Sequence, residues 1–273
     1  MPELPEVENV CRALRENLLG QELTGLQVNF AGVLGQSARK TRAAIVGKTL
    51  TAVNRHGKYM ILCFGDDDEA AFLMVHLRMT GQFFMREDYE PDKHAHLVFE
   101  FPDSPPVYYR DVRKFGRLVL VDDAEAPSAL AHVGPDMMKV RFKEWLPRIA
   151  HRKAPIKSLL LDQGIAAGLG NIYVDESLFL AGVHPLTRPC DLDEETLHDV
   201  LKRGKSVMRL AINHGGTTFM NFMNFYGKPG NFRRKLRVYG RGGEQCRDCK
   251  DTLERIVVGG RSSVFCPSCQ PEI

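Results

Sequence analysis

His132-Val133-Gly134-Pro135 divides this chain into two halves that follow different hydrophobic rhythms. A Gly-Pro pair continues neither a strand nor a helix easily, so a hinge is expected there. Before it, short runs rich in β-branched and aromatic residues recur at 27–30, 50–55, 59–64, 72–77, 82–85, 97–101, 107–109 and 118–121. That spacing is the signature of a β-sandwich or barrel. After it, apolar residues fall three or four apart through 156–161, 172–180 and 194–212, the last run stopped by His214-Gly215-Gly216. These segments predict helices. One further helix is expected ahead of the strands, where Val7, Val10, Leu14 and Leu18 share a face, Pro5 suits a first turn and Gly20 suits a stop. The fold class is therefore α+β.

The composition supports this reading. The chain has 273 residues, 44% apolar and 26% charged, enough for two domains with a small appendix and unlike a disordered or fibrous sequence. The start, Met1-Pro2-Glu3-Leu4-Pro5-Glu6, lacks the basic flank and apolar run of a signal peptide, so a cytoplasmic location without membrane association is expected. Net charge is only +3, but it is unevenly placed. Arg148, Arg152, Lys153 and Lys157 form one basic run, Lys228, Arg233, Arg234, Lys235, Arg237 and Arg241 a second, and Arg110, Arg113, Lys114 and Arg117 a third. Acidic blocks lie apart at 66–69 and 191–195. Each basic run reads either as a solvated face or as part of a phosphate track.

Four of the seven cysteines crowd into Cys246-x2-Cys249 and Cys266-x2-Cys269, sixteen residues apart. That spacing fits one tetrahedral zinc held by four thiolates, a structural site with no coordination place for an activated water. Residues 253–258 and 262–265 read as two strands around Gly259-Gly260-Arg261, with Arg261 at the tip as a groove-reaching cation or an ordinary exposed turn residue. Cys11, Cys63 and Cys190 read as buried thiols.

Three other segments carry chemical possibilities. In Gly168-Leu169-Gly170-Asn171-Ile172-Tyr173 the glycines permit close backbone approach and Asn171 suits an N-cap, giving a phosphate site or a tight interhelical turn. Arg113-Lys114-Phe115-Gly116 offers a wedge for a base stack, or a core phenylalanine with solvated neighbours, and Met79 poses the same choice. At the amino terminus, removal of Met1 would free Pro2 as a secondary amine able to form an iminium with a sugar carbon, with Glu3 and Glu6 one turn apart beside it. The same residues suit a helix start with no chemistry attached.

The order of these elements resembles the bacterial formamidopyrimidine-DNA glycosylase family from end to end. The resemblance rests on Pro2-Glu3-Leu4-Pro5-Glu6-Val7-Glu8, His56-Gly57-Lys58-Tyr59, Arg113-Lys114-Phe115-Gly116, the 168–173 loop, Gly215-Gly216-Thr217-Thr218, Gly227-Lys228-Pro229-Gly230, Val238-Tyr239-Gly240-Arg241 and the four cysteines. It implies an N-terminal β-sandwich with a leading helix (1–134), a helix-two-turn-helix module (135–242) and a β-hairpin zinc finger (243–273). It further implies a monomer that binds double-stranded DNA carrying oxidised bases or abasic sites, removes 8-oxoguanine and formamidopyrimidines, and cleaves the strand by β,δ-elimination. One structural zinc and no catalytic metal or organic cofactor are expected.

By the same resemblance Pro2 is the nucleophile, Glu3 the acid, Glu6 its supporting carboxylate, and Lys58 acts at the same centre through the phosphate. His94, Arg113, Lys153, Asn171, Tyr239 and Arg261 contact DNA, and Met79, Arg113 and Phe115 fill the hole left by the extruded base. Two places depart from the family pattern: Met223-Asn224-Phe225-Tyr226 is unusually aromatic for the stretch that caps the lesion, and Arg78 stands where a small residue is common. The rivals are an endonuclease VIII-type enzyme for oxidised pyrimidines and a non-catalytic zinc-containing DNA-binding protein. Pro2 beside Glu3 argues against the latter.

Overall fold

The computed structural model describes residues 1–66, 69–86, 88–218 and 223–272. Two residues of the expected acidic block, Asp67 and Asp68, lie outside them. The chain forms two compact units, Met1–Ala131 with His214–Asn231, and His132–Asn213 with Phe232–Ile273. The change at His132 thus coincides with the change of rhythm, while the segment after the long helix returns to the first unit.

The first unit opens with α1 (Leu4–Leu18), which has Pro5 in its first turn and is followed by Gly20 at φ +83°. Then come β1 (Gly25–Val28), α2 (Ala38–Ile45) and seven strands: β2 (Leu50–His56), β3 (Tyr59–Phe64), β4 (Ala71–His76), β5 (Gly81–Met85), β6 (Ala95–Glu100), β7 (Val107–Asp111) and β8 (Arg117–Val121). They build two four-stranded antiparallel sheets, ordered β1-β6-β7-β5 and β2-β3-β4-β8. Inward residues of both sheets, such as Leu62, Leu73, Phe83, Leu97 and Tyr109, join Val7, Val10, Leu14 and Leu18 of α1 in one apolar cluster. A sandwich forms because the two sheets turn apolar faces to one another, and α1 closes the same core with its apolar stripe; the β1-β6-β7-β5 sheet also buries Phe84, Ala95, Val98 and Tyr108 in a smaller cluster.

The second unit contains α3 (Phe142–Ile149), α4 (Ile156–Leu161), α5 (Asn171–Leu180), α6 (Glu194–Asn213) and the hairpin β9 (Glu254–Val258) and β10 (Arg261–Phe265). α5 is buried on all sides, from Ile172 through Phe179, as a helix at the centre of its unit must be. Two of its buried residues are nevertheless acids, Asp175 and Glu176. Among the described residues no helix is long and apolar enough to cross a membrane.

Candidate functional site

In the first unit the amino terminus is built into the fold. Pro2, Glu3 and Glu6 are all buried, the two glutamates only 2% exposed each. Glu3 is the N-cap of α1 in a reciprocal capping box with Glu6. The Glu3 backbone N–H donates to Glu6 Oε2 at 2.8 Å, and the Thr217 backbone N–H donates to Glu6 Oε1 at 2.8 Å. Each Glu6 oxygen thus receives a backbone donor, so Glu6 fixes the first turn of α1 against Gly216-Thr217.

Lys58 lies in a two-residue turn between β2 and β3, after Gly57 at φ +55°, and is almost fully buried. Glu8 ties that turn to α1. Its carboxylate accepts from Arg55 Nε at 2.7 Å and from Arg12 Nε at 3.1 Å, while Arg55 also donates to the Gly57 carbonyl at 3.0 Å. The guanidiniums, chiefly Arg55, hold Glu8 below the usual carboxylate range against the opposing effect of burial. His76, across the ladder from Tyr59, was not singled out from the sequence. Burial, Arg78 and Lys58 push it down to about 3, so it stands as a neutral imidazole beside cations. A lone His at a strand end carries no pattern that marks it; only the strand register brings it to Lys58.

The wedge residues are exposed, which removes the core reading for them: Met79 is 41% and Phe115 49% exposed. Their two loops share one anchor. The fully buried Asp111 accepts from Thr80 Oγ1 at 2.5 Å and from the Arg113 N–H at 3.2 Å on one oxygen, and from the Gly116 N–H at 2.7 Å on the other. A Cβ at Gly116 would lie 1.8 Å from the Tyr109 hydroxyl, so only glycine closes this turn. The Arg113 guanidinium stacks 4.5 Å from the Phe115 ring centroid. Arg78 adopts φ +53°, which explains why a small residue suits that position. His94 flanks β6 and is half-buried, its backbone carbonyl accepting from Asp111 N–H at 3.0 Å.

In the second unit, α5 organises the expected DNA-contacting residues. Asn171 is the first residue of α5 and Gly170 is the N-cap, so the expectation of an Asn171 cap is corrected; its Nδ2 instead donates to the Ser262 carbonyl at 2.9 Å, next to Arg261. Arg261 is exposed but belongs to β10, paired with Val258, because Gly259 and Gly260 at φ +56° and +74° alone complete the turn. Glu176 accepts from the backbone N–H groups of Arg237, Val238 and Tyr239 at 2.8–2.9 Å. This carboxylate fixes the segment that carries Tyr239. Lys153 is exposed.

Lys157, read above as one cation of a surface run, is fully buried. It pairs with Asp175 at 2.7 Å and donates to the Ser262 carbonyl at 2.8 Å. Asp175 also accepts from Ser263 Oγ at 2.9 Å and Val264 N–H at 3.1 Å. Two adjacent acids in an apolar helix were the sequence signal for this hub. Burial raises Asp175, opposed by Lys157 and these donors.

The sulfurs of Cys246, Cys249, Cys266 and Cys269 all lie within 4.8 Å of one another, with pairs at 4.0 and 3.3 Å. Zinc–sulfur bonds of about 2.3 Å require tetrahedron edges of about 3.8 Å, so the four thiols fit one zinc. Cys11 and Cys63 are buried as expected, whereas Cys190 is exposed.

Family models match the chain in three consecutive stretches: the formamidopyrimidine-DNA glycosylase N-terminal domain over residues 1–118, the H2TH domain of the same glycosylase over 133–222, and a zinc finger found in FPG and IleRS over 243–271. The chain belongs to the formamidopyrimidine-DNA glycosylase family. It is 39% identical to the formamidopyrimidine-DNA glycosylase of Latilactobacillus sakei across 99% of this chain and 98% of that one, and 38% identical to that of Desulfitobacterium hafniense across 99% and 100%. Among solved structures, it superposes on a Lactococcus lactis FPG variant in complex with Fapy-dG containing DNA with a TM-score of 0.88 at 32% identity, covering 99% and 100% of the two chains. The L. lactis Fpg complex with abasic-site DNA gives 0.87 at the same identity and coverage. Family membership accounts for the helix-two-turn-helix module and for the single structural zinc that the four thiols fit.

Proposed function

We infer that this chain is a base-excision DNA glycosylase and abasic-site lyase for oxidised purines, acting through Pro2. The observation that carries this reading is the burial of Pro2, Glu3 and Glu6 at the start of α1, with Glu6 bonded at both oxygens. A DNA-binding module has no use for a proline and two buried carboxylates together at its first helical turn.

When Met1 is removed, Pro2 nitrogen becomes a secondary amine with a reference pKa of about 7.7–8.0, and the positive end of α1 disfavours its protonated form. Its lone pair attacks C1′ of the damaged nucleotide, the N-glycosidic bond breaks and its electron pair leaves with the base, which takes up the proton that the amine sheds. Glu3 gives a proton to the sugar ring oxygen as the ring opens to the iminium. Loss of the 3′ phosphate and then of the 5′ phosphate by elimination leaves a one-nucleoside gap. Glu6 acts by position, holding the helix start that presents Pro2 and Glu3.

Lys58, His94, Arg113, Lys153, Asn171, Tyr239 and Arg261 take the phosphate and backbone contacts. Met79, Arg113 and Phe115 enter the space left by the flipped base, a role their exposure supports. Cys246, Cys249, Cys266 and Cys269 hold the zinc, which supports the hairpin carrying Arg261. The functional domains follow as 1–134, 135–242 and 243–273, and the enzyme works on bacterial DNA in the cytoplasm.

Borohydride reduction tests the covalent step. The processed enzyme should be trapped on duplex DNA containing 8-oxoguanine, and one residue added before Pro2 should abolish trapping while DNA binding persists. Full trapping by the extended chain, with mass determination showing the extension intact, would refute Pro2 as nucleophile.

A further inference from the structure

The two turns that carry the exposed wedge residues leave the sheet from one point. Gly81, the first residue of β5, pairs with Asp111, the last residue of β7. Residues 77–80 run into that pair and residues 112–116 run out of it, so Met79 and Phe115 stand on neighbouring turns at one end of one ladder. Antiparallel pairing fixes where the turns begin. It does not fix where their tips go.

Each turn is closed on itself. In the first, the Gly81 N–H donates to the Leu77 carbonyl at 3.0 Å and the Arg78 N–H donates to His76 Nδ1 at 3.0 Å. In the second, Lys114 adopts φ +60° with its ammonium 4.2 Å from the Phe30 ring centroid, and Arg117 Nη1 donates to the Lys114 and Gly116 carbonyls at 3.1 and 2.8 Å. The turns also close on each other. A Cβ at Gly81 would lie 2.8 Å from the Tyr109 hydroxyl and one at Gly116 1.8 Å from the same atom, so both turns approach it with bare backbone.

Thr80 then spans the two turns. Its Oγ1 donates to Asp111 Oδ1 at 2.5 Å and accepts from the Arg113 N–H at 3.0 Å. A hydroxyl can do both at once, and a hydroxyl–carboxylate bond of this length is a strong one. Asp111 is itself fixed, since its carbonyl accepts from Nε2 of the buried His96 at 2.8 Å. The residue that follows Met79 is therefore bonded to the residue two before Phe115.

We propose that Thr80 is a positioning residue for base extrusion: its hydroxyl couples the turn bearing Met79 to the turn bearing Arg113 and Phe115, so that the three side chains enter the base stack as one body, a role that rests on the reading of those three as wedge residues. Unstacking a base has to be offset by what takes its place, and side chains displaced by an ångström leave part of the gap without partner atoms. Two turns that moved independently would meet the gap together only part of the time. An abasic nucleotide has no base to unstack. The coupling therefore acts on excision and leaves elimination at an abasic site untouched.

The experiment compares single-turnover rates on a duplex with 8-oxoguanine and on the same duplex with an abasic site. The variants are Thr80→Val and Thr80→Ser, Met79→Ala with and without Thr80→Val, and Phe115→Ala, with thermal melting recorded for each. Valine keeps the shape of the side chain without its hydroxyl, and Asp111 Oδ1 still accepts from the Arg113 N–H at 3.2 Å, so Thr80→Val keeps the fold. Misplacement by an ångström costs up to about a hundredfold, so Thr80→Val should slow excision about tenfold with abasic cleavage within about twofold. Thr80→Ser, which retains the hydroxyl, should recover most of the loss. In the Met79→Ala background the side chain to be placed is gone, and adding Thr80→Val should slow excision by less than about twofold further. Excision by Thr80→Val at the parent rate, equal slowing on both substrates, equal slowing with and without Met79, or Thr80→Ser as slow as Thr80→Val overturns the proposal and leaves the wedge reading standing. Met79→Ala and Phe115→Ala both excising at the parent rate overturns the wedge reading and the proposal with it, as does a parent chain inert on both duplexes.

Discussion

Glu8 shows how one side chain serves the site without touching substrate. It lies two residues beyond Glu6 and gathers Arg55, Arg12 and Arg15 within 2.7–3.5 Å. Arg55 then holds the carbonyl of Gly57, so the turn bearing Lys58 is registered against α1 through one carboxylate. Because the folded state depresses the Glu8 pKa, its contribution is present above the unfolded value of about 4.3 and is lost as pH falls through the folded one. Glu8→Gln should therefore lower stability at pH 7 by roughly 1–2 kcal/mol, a figure discounted because the carboxylate is partly solvated. The gap between parent and variant should shrink as pH drops below about 5, since the parent loses its charge there too. Melting curves from pH 7 to pH 3 check this; a gap that widens in acid would contradict the assignment.

At the scale of elements, the hub on α5 decides whether the zinc hairpin stays attached to the helices of its own unit. Lys157 of α4, Asp175 of α5 and Ser262, Ser263 and Val264 of β10 meet in one buried network. Lys157→Met leaves Asp175 as a buried unpaired charge and should cost about 3–5 kcal/mol in denaturant unfolding. Adding Asp175→Asn removes that charge while keeping an acceptor for Val264, so the double variant should be more stable than Lys157→Met alone. Additive losses would show that the pair is not coupled. The two adjacent acids of α5 marked one half of this hub, but the part of Lys157 was hidden because it follows three other cations and reads as their solvated neighbour. Strands, by contrast, were legible: all eight expected runs became β1 to β8, since short runs of β-branched and aromatic residues at sandwich spacing mark strands by composition, even where both faces are buried. Two helices escaped. α2 buries only Thr41 and Ile45, too few for a stripe, and α3 carries Pro147 inside it, a residue that reads as a breaker. At the candidate site, residue types and order marked Pro2, Glu3, Glu6 and the four thiols, whereas His76 beside Lys58 and the bond from Thr217 to Glu6 exist only through strand register and long-range contact.

For the molecule as a whole, a net charge of +3 is a poor guide to its partner. Many cations of the basic runs are engaged within the protein: Arg110 with Asp92, Lys157 with Asp175, Arg237 with Asp248 and Arg241 with Glu244. Others, including Arg113, Lys153, Arg233, Arg234, Lys235 and Arg261, stay exposed and are the candidates for phosphate contacts. Lys58 is the informative case because it is buried; burial chiefly keeps His76 neutral, and the fields of Arg78 and Lys58 add to it. Each phosphate neutralised releases counterions, so the slope of log K against log salt reports the number of contacts. Lys58→Ala should weaken binding to lesion and undamaged duplexes alike and reduce the slope by about 0.9. Arg188→Ala, which removes an exposed cation already paired with Asp191, should leave the slope unchanged. A Lys58→Ala variant with weaker binding but the parent's slope would mean that Lys58 shapes the turn between β2 and β3 and does not grip the backbone.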